Sequence, residues 1–134
     1  KSRRRTVYLP LRRSNLPSLL TLFGFGDAVS TGESRTRTNV APQALFMLNS
    51  RFVAERASDF AKLLLTDKNA DDRRRVERAI WIVLTRKPAV PEIDAALGYI
   101  EGMEKRRAGE AARLNAWQSY CRILMSSNEF VYID

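Results

Sequence analysis

Histidine is absent from these 134 residues. That gap removes the Ser-His-Asp and Cys-His nucleophile systems, the commonest general base near neutral pH, and every histidine-containing zinc site. The one cysteine, Cys121, has no partner for an internal disulfide, so cysteine usage says nothing about redox compartment. No stretch approaches the ~20 uninterrupted apolar residues of a membrane-spanning helix, because charged residues break every long apolar run. N-glycosylation sequons, low-complexity tracts and internal repeats are lacking as well.

What is present is apolar mass and positive charge. A chain of this length with 45% hydrophobic residues is long enough to bury a core as one ordinary domain. The formal net charge of +8 is unevenly placed. Residues 1–37 hold eight basic side chains (Lys1, Arg3, Arg4, Arg5, Arg12, Arg13, Arg35 and Arg37) against Asp27 and Glu33. The remainder is nearly balanced. A cationic strip of this kind calls for an anionic partner or for acidic neighbours. Lys1-Ser2-Arg3-Arg4-Arg5 is basic like the start of a signal peptide, but the next ten residues are too polar for its apolar region. Such a start is expected of a cut within a longer chain.

Periodicity predicts a mainly α fold, a compact bundle of about five helices with a short strand at each end of the chain. Thr6-Val7-Tyr8-Leu9, stopped by Pro10, reads as the first strand. Ser14 or Asn15 can cap a helical turn with Pro17 in it, and Gly24 to Arg37 reads as a loop. Asn39 and Pro42 open a short helix, which Asn49 or Ser50 ends. The next helix, to about Thr66, carries Val53, Ala57, Phe60 and Leu64 on one stripe. Asn69, with Asp71 and Asp72, is expected to cap a helix burying Val76, Ala79, Ile80, Val83 and Leu84, ended by Pro88. Pro91 opens a fourth stripe of Ile93, Leu97, Ile100 and Met103. After a break at Gly109, Leu114, Trp117, Cys121 and Leu124 form the last. Phe130-Val131-Tyr132-Ile133 reads as a terminal strand, placed to pair with the first. The organisation is a single domain over 1–134, or the C-terminal portion of a larger one, with a basic strand and loop segment at 1–37 and a helical body at 38–134.

Few residues point to chemistry. Cys121 shares a stripe with Trp117 and Leu124, which suits a buried, inert thiol. Glu55 and Asp59 have the spacing of a paired-carboxylate site, but Arg51, Arg56 and Lys62 surround them, as in a solvated charged face. Glu101-Lys105 and Glu110-Arg113 repeat that arrangement. Arg73-Arg74-Arg75 opens a helix where the dipole favours anions, with Asp71, Asp72 and Glu77 in range to offset it. Gly24-Phe25-Gly26-Asp27 lacks the strand and the Gly-Lys-Ser/Thr of a phosphate loop. The expectation is therefore no catalytic residue, no metal ligand and no cofactor site in this chain.

Three segments in order carry a family resemblance: Arg5-Thr-Val-Tyr-Leu-Pro-Leu-Arg-Arg13, Arg37-Thr-Asn-Val-Ala-Pro-Gln-Ala-Leu-Phe-Met-Leu-Asn-Ser50 and Ser127-Asn-Glu-Phe-Val-Tyr-Ile-Asp134, with Thr85-Arg86-Lys87-Pro88 between. Together they resemble the C-terminal part of the planctomycete PSD domain, the domain-of-unknown-function family 1553. The resemblance implies a large exported or cell-envelope protein in which a c-type cytochrome domain often precedes this region. No Cys-X-X-Cys-His motif lies here, so it places any haem upstream. It further implies that Arg12, Arg13, Arg35 and Arg37 pair with acidic groups on the rest of the domain, with Asn39, Gln43 and Asn49 as caps and hydrogen-bonding groups at that boundary. The function expected is a noncatalytic structural or interaction module whose partner is the remainder of its own polypeptide. The alternatives are part of an enzyme or electron-transfer protein acting on extracellular polymers, and polyanion or nucleic-acid binding through the N-terminal arginines.

Overall fold

The computed structural model describes residues 20, 22, 23, 40–107, 109 and 111–132. Among them the chain is mainly helical: α1 Val40–Asn49, α2 Arg51–Thr66, α3 Asp72–Leu84, α4 Val90–Arg106, α5 Ala112–Met125 and a single turn, α6, Asn128–Val131. The chain divides into two compact units, Lys1–Gln43 and Ala44–Asp134. The strand expected at 6–9, the loop at 24–37 and Glu110 lie outside the described residues. In the first unit, the Gln43 side chain is buried and its Nε2 donates to the Leu22 carbonyl at 3.0 Å.

The second unit is built on the apolar stripes. Ala57, Phe60, Ala61 and Leu64 of α2, Val76, Ala79 and Ile80 of α3, Ile93, Ala96 and Ile100 of α4, and Ala116, Trp117, Tyr120, Cys121 and Leu124 of α5 form one core. Val83, Leu84, Leu97, Met103 and Leu114 pack against it, half-buried. Helix α5 is central, packed most extensively against α2 and α4. Small residues on both sides (Ala57, Ala61, Ala116) allow close approach of α2 and α5, and Gln118 Nε2 donates to Ser58 Oγ across that seam at 2.8 Å. A bond between Tyr99 Oη and Ser119 Oγ, 2.7 Å, joins α4 to α5. Arg122 donates to the Leu48 carbonyl, tying α1 to α5.

The helix ends depart from expectation in instructive ways. The cap of α3 is Asp71, whose Oδ1 accepts from the Arg74 N–H at 2.8 Å; Asn69 instead donates its own N–H to Asp67. Helix α3 stops at Leu84, before Pro88, because Thr85 turns left-handed (φ 56°) and closes its N–H onto Trp81. Gly109, at φ 109°, does break α4 from α5, in a region where a side chain would be strained.

The C-terminal strand is corrected. Phe130 and Val131 are helical, within α6, although their side chains favour strands. Ser127 caps this turn by accepting from the Phe130 N–H at 3.3 Å, Glu129 sits in the first turn where the helix dipole favours it, and Tyr132 N–H reaches the Asn128 carbonyl at 2.8 Å. Local capping, worth roughly 0.5–2 kcal/mol, competes with a strand propensity whose whole scale spans about 1 kcal/mol. Residues 133 and 134 lie outside the described residues.

Candidate functional site

The turn from Thr85 to Ala89 links α3 to α4 and presents two features. A left-handed threonine is unfavourable by roughly 1–2 kcal/mol, so the surroundings must hold it. They do so through Arg86. Its Nη1 and Nη2 fork onto Glu92 Oε2 and Oε1 at 2.8 and 2.6 Å, while Nε and Nη2 fork onto Glu129 Oε1 and Oε2 at 2.5 and 2.9 Å. Glu92 Oε2 also accepts from the Ala89 N–H at 2.7 Å, closing the start of α4. One guanidinium thus joins the turn, the first turn of α4, and α6.

The electrostatics suit a clamp. Arg86, and to a lesser degree the Ala89 N–H, holds the Glu92 carboxyl down to about 2, and Arg86 lowers that of Glu129. The guanidinium is raised in turn by both carboxylates, Glu92 first. Both shifts favour the ionised carboxylates that an ion-pair clamp needs. A carboxyl lowered on folding stabilises the native state above its ordinary value near 4.5, and that contribution fades as pH falls toward 2. The gap in urea midpoint between wild type and Arg86→Gln should therefore narrow from pH 5 to pH 2; a gap constant with pH would contradict the clamp. All three side chains are over a third exposed, so screening keeps the effect modest.

The second feature is a groove of about 470 Å³ between α3 and this turn, lined by Arg74, Glu77, Arg78, Trp81, Lys87, Pro88 and Ile93. Residues 74, 78 and 81 share one helix face. The Arg73-Arg74-Arg75 run is split three ways. Arg73 pairs with Glu77 at 3.5 Å and Asp94 at 3.7 Å, and Arg75 is buried, bonding Asp72 Oδ1 at 2.7 Å and the Asp67 carbonyl at 2.6 Å. Arg74 opens on the groove without a carboxylate partner among the described residues, as do Arg78 and Lys87. A shallower depression of about 190 Å³ shares Arg74 and Arg78 and continues past Asp67, Asn69 and Arg75.

Of the residues expected to form an anion or interface site, Arg12, Arg13, Arg35, Arg37 and Asn39 lie outside the described residues. Gln43 is the buried donor to Leu22, and Asn49 is an exposed last residue of α1. Glu55 pairs with Arg51 at 3.1 Å and Asp59 with Arg56 at 3.1 Å, as expected of a charged face. Cys121 is fully buried, and desolvation pushes its thiol up to about 12. No group of three or more metal-capable side chains clusters among the described residues. Sequence reasoning missed the Arg86 clamp, whose partners are six and 43 positions away, and the groove, whose four- and three-residue spacing of Arg74, Arg78 and Trp81 was visible.

No curated protein and no solved structure matches the chain. The profile of the PSD1 family, described as a protein of unknown function (DUF1553), matches residues 1–100, a span that holds the whole groove and the Arg86–Glu92 half of the clamp. With three quarters of its length matched, the chain belongs to the PSD1 family of proteins of unknown function.

Proposed function

We propose that this chain is a noncatalytic helical module, the C-terminal part of its domain, that completes a larger exported protein by docking onto the remainder of its own polypeptide. The observation that carries this reading is a set of large apolar side chains left in solvent around the joint of α1 and α2. Leu45, Leu48 and Phe52 are 59%, 52% and 58% exposed. Single exposed leucines are ordinary, but three large apolar residues within eight positions mark surface that is usually covered. The cationic excess in residues 1–37 adds a charge that an acidic neighbouring surface would match.

The test compares amide hydrogen exchange across α1 in the 134-residue chain and in the intact parent polypeptide. Exchange should be at least tenfold slower in the parent. Leu45→Asp combined with Phe52→Asp, both solvent-facing in the chain, should erase the difference. Equal exchange in the two wild-type proteins would overturn docking at this face.

A further inference from the structure

We infer that the groove between α3 and the Lys87–Pro88 turn is a binding site for a sugar ring bearing an anionic group, as found along an acidic polysaccharide. This is a ligand site separate from the docking face, and it stands or falls by itself. Among the described residues, three cations line it without carboxylate partners, Arg74, Arg78 and Lys87, against the single acid Glu77, which is already engaged by Arg73. Holding like charges together without counter-ions is unfavourable, and an arriving carboxylate or sulfate relieves it through forked, charge-assisted hydrogen bonds. Beside them Trp81 is 55% exposed. A large indole left in water at the wall of a cationic groove offers a flat apolar face with a polar edge.

The rest of the lining selects among anions. Glu77 repels the charge of any anion, and a polyphosphate strand offers this carboxylate no hydroxyl donor in return. A polyhydroxylated ring would use the same carboxylate as an acceptor for its hydroxyls, and the Asn69 amide of the adjoining depression as donor and acceptor. The groove has one stacking platform, with Pro88 and Ile93 beside it, where a nucleic-acid strand generally uses successive aromatic rings. A volume of about 470 Å³ falls within the usual range for small-ligand sites. The neighbouring depression, which shares Arg74 and Arg78, gives the next unit of a chain a place to lie.

The 134-residue chain would be titrated with hexagalacturonate, a heparin hexasaccharide, maltohexaose and a thymidylate hexamer, reading tryptophan emission and calorimetry. One of the two acidic sugars should bind at least tenfold more tightly than maltohexaose and the thymidylate hexamer, and which one wins identifies carboxylate or sulfate as the anion. Trp81→Ala and Arg78→Gln should each weaken that binding at least tenfold with thermal midpoints unchanged. The variant Arg12→Gln, Arg13→Gln, Arg35→Gln, Arg37→Gln should leave it within twofold. Failure of both acidic sugars to bind, tighter binding of the thymidylate hexamer, or a loss that follows the four N-terminal substitutions instead of the groove would overturn the assignment.

Discussion

Trp117→Ala should destabilise the helical body by about 3–5 kcal/mol, the range for removing a buried large aromatic side chain. Trp117 has no exposed surface, lies in the shared core on α5, and meets the Tyr120 ring edge-on at 6.0 Å between centroids. Because a domain is usually stable by only ~5–15 kcal/mol, this variant should be close to unfolded, with a urea midpoint by far-ultraviolet circular dichroism near zero. Part of the indole's contribution is offset, since its Nε1 is buried without a hydrogen-bond partner among the described residues. Trp117→Phe, which removes that donor and keeps a ring, should therefore cost much less. The contrast is Trp81→Ala, at an exposed position, expected within ~0.5 kcal/mol of wild type. Equal losses at 81 and 117 would contradict the core described above.

Arg75→Ala should cost about 3 kcal/mol, an unusual penalty for an arginine in a run of three. Its guanidinium is nearly buried and supplies two charge-assisted bonds, to Asp72 and to the Asp67 carbonyl at the end of α2. Each bond to a charged group is worth roughly 1.5–3 kcal/mol. Asp72 keeps a second partner, Arg113 at 2.6 Å, so the larger share of the loss comes from the Asp67 carbonyl and the side-chain stem. Arg75→Lys keeps the charge but lacks the planar fork that spans two acceptors, and should recover only part of the loss. The neighbours serve as controls: Arg73→Ala and Arg74→Ala, both exposed, should change the urea midpoint little. Arg75→Ala with an unchanged midpoint would show that the bridge between α2 and α3 carries no weight.

The difference between these three arginines shows where sequence stops being informative. Apolar periodicity is a local property, so Val53, Ala57, Phe60 and Leu64, or Trp117, Cys121 and Leu124, announce a buried face without reference to anything distant. Charges announce only what lies within one helical turn. Glu77 was a readable partner for Arg73, but Asp94 for Arg73 and Glu129 for Arg86 depend on how α3, α4 and α6 come together. The burial of Arg75 likewise depends on the carbonyl that α2 happens to present. At the C-terminus the opposite error occurred. Four strand-favouring side chains suggested a strand, while the deciding features were the Ser127 cap and the placement of Glu129. The groove was half-legible: spacing puts Arg74, Arg78 and Trp81 on one face, yet only the Thr85 turn brings Lys87 and Pro88 opposite them.

The seam between α2 and α5 also bears on the order in which the body forms. Tyr99 and Ser119, which join α4 to α5, are 20 residues apart, whereas Ser58 and Gln118, which join α2 to α5, are 60 apart. Loop-closure entropy grows with the logarithm of length, so the threefold longer loop costs about 1 kcal/mol more to close. On that count the α4–α5 pair closes more cheaply than the α2–α5 pair, although α2 shares the larger interface with α5.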